Sequence, residues 1–153
     1  MKKLFTLMVA FFAFVVCVNA QTKIEPQHPD FNFKITRCAQ ANGTVVIDVV
    51  ITNYGAEESI YIDRNNISAY DDEGNIYTRG NSGILMGATN MGLNDYSKIV
   101  FPQDIPIKFR IQLDKINTNA SKFALLKLGF ESKGAMALDP KKPLQIRNLE
   151  WNK

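Results

Sequence analysis

Residues 44–53 read Thr44-Val45-Val46-Ile47-Asp48-Val49-Val50-Ile51-Thr52-Asn53, and one pattern holds throughout. Val45, Ile47, Val49 and Ile51 fall on one side of an extended chain, while Val46, Asp48, Val50 and Thr52 fall on the other. A wholly apolar face at period two, built from β-branched residues, predicts a central strand with its inner side in the core. The pair Asn42-Gly43 precedes it and Asn53-Tyr54-Gly55 closes it, so turn signals bound it at both ends.

Working outward toward the N-terminus, Phe31, Phe33 and Ile35 alternate with Asn32, Lys34 and Thr36. This predicts a strand ending near Ala39 and joined to the central one by a two-residue hairpin at Asn42-Gly43. On the C-terminal side, 60–62 and 66–71 read as two short strands. Asp72-Glu73-Gly74-Asn75 is a turn, and 76–78 is its partner strand. In residues 79–95, Gly80, Gly83, Gly87 and Gly92 interrupt Ile84, Leu85, Met86 and Met91. Four glycines at about 1 kcal/mol each argue against a helix, so a bulged edge strand or a long surface loop is expected.

A strand over 96–101 stops at Pro102. Beyond Pro106, Ile107, Phe109, Ile111 and Leu113 alternate with Lys108, Arg110, Gln112 and Asp114, predicting a half-buried strand. Residues 117–121 form a polar connection. Ala124, Leu126, Leu128 and Phe130 then share one face of a further strand, and a polar loop through Asp139, Pro140 and Pro143 leads to the last strand, ending at Trp151. About eight or nine short strands with no amphipathic helix predict a single all-β sandwich, with a closed barrel as the alternative.

Ahead of this domain, Lys2 and Lys3 precede an uncharged apolar run over 4–18 and the small-residue site Val18-Asn19-Ala20. A spanning helix needs about 20 apolar residues, so the run reads as a cleaved signal peptide over 1–20. Cys17 follows Val16 rather than the small residue that lipoprotein processing wants, so it leaves with the leader. Residues 21–30, with Pro26, Pro29 and the only histidine, His28, read as a tether or lead-in strand, and 31–153 as the domain. No further segment predicts a membrane span, so the product is expected to be exported, periplasmic or secreted.

Loss of Lys2 and Lys3 brings the formal charge from +3 to +1, and the remaining cations are spread along the strands. A nucleic-acid partner is not expected from such a balance. Only Cys38 remains after the leader, so no intrachain disulfide can form, and a core must carry the fold. Cys38 reads as a small half-buried hydrophobe, with an intermolecular disulfide or a reactive thiol as the alternatives.

The strand end Val49-Val50-Ile51-Thr52-Asn53, the acidic hairpin Asp71-Asp72-Glu73-Gly74-Asn75-Ile76-Tyr77 and the break from Pro102 to Pro106 together resemble secreted immunoglobulin-like domains of bacteria, of unknown function. The Ala20-Gln21 junction is similar to signal cleavage sites of exported Bacteroidetes proteins. This resemblance covers most of 31–151 and implies an immunoglobulin-like sandwich with no catalytic residues to carry over; the Cys…Trp…Cys spacing of antibody domains is missing.

Candidate sites follow from chemistry. Asp71, Asp72, Glu73 and Asn75 concentrate oxygen atoms, but their spacing is wrong for a calcium loop, so a solvated turn is the plainer reading. One histidine leaves no zinc cluster or nucleophile-histidine pair, and no cofactor is expected. A small hydrolase using two carboxylates would need a cleft that no long loop besides 79–95 could wall. The expected role is therefore a non-catalytic module at the cell envelope that binds another protein or its own copies. Its surface is expected at Leu85, Met86 and Met91 with an adjacent edge strand. The alternative is a carbohydrate-binding module using Tyr70, Tyr77 or Trp151 as an aromatic platform.

Overall fold

The computed structural model describes residues 21–89, 96–132 and 143–152. Among them the chain forms ten strands and no helix. The strands are β1 (Lys23–Glu25), β2 (Phe31–Ala41), β3 (Thr44–Asn53), β4 (Glu58–Asp71), β5 (Ile76–Thr78), β6 (Ile84–Ala88), β7 (Tyr96–Phe101), β8 (Pro106–Leu113), β9 (Lys122–Ser132) and β10 (Leu144–Glu150). One sheet runs β2-β3-β8-β6; the other runs β1-β10-β9-β4-β5, with β7 also paired to β4. Two sheets with free edges, facing each other across one core, make this a sandwich rather than a closed barrel.

The predicted central strand is β3, flanked by β2 and β8. Val45, Ile47, Val49 and Ile51 are buried and the residues between them half-buried, as the period-two pattern requires. The hairpin before it closes on Ala41 opposite Thr44, with φ of 50° at Asn42 and 76° at Gly43. Positive φ at both turn residues matches the right-handed twist of the flanking strands, which is why Asn-Gly stands there. After β3, the fully buried Asn53 side chain donates to the carbonyls of Ala56 and Phe101 at 2.7 and 3.0 Å and accepts from the Gly55 N–H at 2.9 Å.

Three irregularities reset which residues face the core. Between Ile35 and Arg37 the register of β2 slips, leaving Thr36 as an extra residue. Inward positions therefore change from Phe31, Phe33 and Ile35 to Cys38 and Gln40, which pair with the inward Ile47 and Val45. The two short strands expected at 60–62 and 66–71 are one strand, β4, whose pairing with β9 shifts between Ile62 and Ile67. Ala124 is exposed instead of buried, because the shift between Tyr70 and Asp71 turns Phe123 inward in its place. The neighbouring β10 adjusts at the same level: Asn148 has φ 52°, and Ile146 and Leu149, three apart, are both buried.

Within the segment read as a tether, β1 pairs with β10, matching Lys23 to Arg147 and Glu25 to Gln145. The lead-in strand is thus the reading that holds. The expected last strand ends at Glu150, and Trp151 packs beneath it.

Candidate protein-binding surface

The acidic hairpin is a structural lock. Asp71 is 4% exposed and accepts the N–H groups of Glu73 and Asn75 at 3.0 and 2.8 Å, the Asn75 amide at 2.9 Å and the Tyr77 hydroxyl at 2.7 Å. Burial pushes its carboxyl up, but the donors from Tyr77, Asn75 and Glu73 outweigh it and hold the carboxyl below the ordinary aspartate value. Asp72 accepts from the Ser121 N–H at 3.0 Å and from its hydroxyl, binding the hairpin to the β8–β9 connection. With its oxygens turned onto the protein's own donors, this turn offers little to a cation. No group of three His, Cys, Asp or Glu able to hold a metal occurs among the described residues.

The aromatic platform loses two of its three rings. Tyr77 is 5% exposed and packs edge-on against Phe123, and Trp151 is 7% exposed and packs edge-on against the same ring at 4.8 Å. Burial, reinforced by Asp71, pushes the Tyr77 hydroxyl up to about 12. Tyr70 alone is half-exposed, with the Lys127 ammonium 5.5 Å from its ring centre.

The expected contact surface at 79–95 needs a similar correction. Residues 84–88 form β6, an edge strand paired to β8, and there Met86 points inward and is 1% exposed. Leu85 opposes Gln112 on the outer side and is half-buried, while Met91 lies outside the described residues. Of the two forms expected for this stretch, the edge strand is the one found over Ile84–Ala88; Gly80 and Gly83 lie before β6 and Gly87 within it, while Gly92 lies outside the described residues.

Apolar side chains are left partly open elsewhere. Among the described residues, five half-buried hydrophobic side chains pack against the core, and four of them, Ile24, Phe33, Ile35 and Cys38, lie on β1 and β2. These strands are the edges of opposite sheets and do not pair with each other; Asn152 closes the β2 edge at one end, donating to the Cys38 carbonyl at 3.2 Å and accepting from the Gln40 N–H at 2.9 Å, which leaves the edge open along Phe33 and Ile35. Two hollows mark the seam. One, of about 640 Å³, lies between Ile24, Glu25, Gln27 and Phe33. The second, of about 390 Å³, lies between Thr22, Ile35, Cys38, Leu149 and Trp151. The indole N–H of Trp151 is buried with no acceptor among the described residues.

Cys38 lines the second hollow, and burial pushes its thiol up to about 12. A thiol held neutral is a poor nucleophile, so it contributes apolar surface to the seam rather than reactivity. Sequence alone does not disclose the seam, because Cys38 faces inward only through the slip at Thr36 and β1 is three residues long, next to Pro26.

Models of known families, curated proteins and solved structures were all compared with the chain, and none matches.

Proposed function

We propose that this protein is an exported, non-catalytic module of immunoglobulin-like type that holds an extended segment of another envelope protein, or of a second copy, between β1 and β2. The observation that carries this reading is the row Ile24, Phe33, Ile35 and Cys38 along two facing sheet edges. An edge strand offers unpaired backbone groups, and an apolar floor beside it offers pockets for alternate side chains; together they give both affinity and register to an added strand. A carbohydrate platform has less support once Tyr77 and Trp151 are buried.

A photo-reactive residue at position 35, introduced in the producing cells, tests the seam directly. Cross-linked peptides should map to an extended, alternating apolar segment, and Ile24→Asp should remove the adduct without lowering the melting temperature to the growth range. An adduct absent from wild type under these conditions refutes strand capture. N-terminal sequencing of the recovered protein should begin at Gln21, and a start at Met1 would refute export through the leader.

A further inference from the structure

The outer face of the β2-β3-β8-β6 sheet carries two matched rows of side chains. In one, Arg37 on β2 and Arg110 on β8 stand on either side of Asp48 on β3. Asp48 accepts from Arg110 Nε and one terminal nitrogen at 2.6 and 3.0 Å, and lies 4.0 Å from Arg37. In the next row, Lys34 on β2 and Lys108 on β8 stand on either side of Val50 on β3. Both lysines are exposed, and neither has an ion-pair partner among the described residues. The rows are the same arrangement of cation, centre, cation, with the counter-charge present in one and replaced by valine in the other.

Four cations and one acid therefore meet in these two rows, with Asp114 the next acid beyond Gln112 at the end of β8, although the whole chain carries a formal charge of only +3. The cations are spread in sequence and meet only through strand register. A hollow of about 420 Å³ opens among Thr36, Asp48, Val50, Thr89, Lys108 and Arg110. Gly87, opposite Arg110, leaves its β6 side without a side chain.

We propose that this face docks an acidic polypeptide segment, one of whose carboxylates sits over Val50 between Lys34 and Lys108. Two strand spacings separate the lysine backbones, about 10 Å, so both ammonium groups can converge on one carboxylate. The same site disfavours other polyanions. No aromatic ring stands in the two rows to stack on a sugar or a base, so an acidic glycan or a nucleic acid would gain charge pairing alone.

The test titrates the full chain with poly-L-glutamate at low salt, following backbone amide resonances, with polygalacturonate and poly-L-glutamine as comparison probes. Poly-L-glutamate should shift Lys34, Val50 and Lys108, and affinity should fall by about tenfold or more in the K34Q/K108Q double variant. Val50→Asp, which supplies the missing carboxylate from within, should weaken binding as strongly while both lysines remain. Unchanged affinity in either folded variant overturns the site, as do shifts spread over other surfaces or no binding at all. Equal or tighter binding of polygalacturonate overturns the polypeptide as occupant. Binding of poly-L-glutamine with equal affinity overturns the role of charge.

Discussion

The hydroxyl of Tyr77 donates to Oδ2 of Asp71 at 2.7 Å and accepts from the backbone N–H of Asn117 at 3.0 Å. One phenol thus joins the β4–β5 hairpin to the connection between β8 and β9, while its ring rests on Phe123 in the core. Tyr77→Phe keeps the ring but strands the Asn117 N–H and removes a donor from Asp71. A loss of about 1–3 kcal/mol in denaturant unfolding is expected. Because the folded-state Asp71 carboxyl ionises below its unfolded value, its contribution is complete above the ordinary 3.8 and drains away as pH falls through the folded value. Asp71→Asn should therefore flatten the acid limb of a stability–pH curve as well as lower its plateau. A limb as steep as in wild type would show that Asp71 does not carry it.

Met86 and Leu85 are neighbours with opposite fates. Met86→Ala opens the core beneath β6 and should cost about 2–5 kcal/mol. Leu85→Ala, on the outer side, should cost less than half of that. Thermal unfolding of the two single variants separates them, and equal losses would contradict the assigned facing of β6.

Gly129 lies on β9 where β4 slips register. A methyl group there would come within 2.4 Å of the Asn66 Cβ, an atom tied closely to its own backbone. Gly129→Ala should destabilise by about 1–3 kcal/mol through forced separation of the two strands. A neutral result would mean that the β4 irregularity relaxes freely. Gly74→Ala is a useful contrast, since nothing lies within 4 Å and only its positive φ of 85° opposes the change.

What was legible in the sequence was whatever one strand can state alone. Val45 to Ile51 declares its inner face by alternation, and Asn42-Gly43 declares its turn by backbone chemistry. What was hidden depends on a second strand. An extra residue at Thr36 or Ala124 reverses parity, and only the partner's register reveals it. Met86 was misplaced because glycines signal weak local preference, whereas β8 supplies the pairing that orders β6. The lysine row and the apolar seam are likewise products of strands meeting, with no signature in either strand taken singly.

The pairing of β1 with β10 also sets a schedule. Thr22 donates to the carbonyl of Asn148 at 3.0 Å across 126 positions of sequence, so the first strand of the sheet is completed by the last. A growing chain exposes β1 early and supplies its partner only after β2 to β9 have emerged. Loop closure over such a distance comes late and slowly, after the hairpins have formed. The β1 side of the sandwich is thus finished last in assembly, and a chain halted before Leu144 would present β1 as an unclaimed strand beside the apolar row of β2.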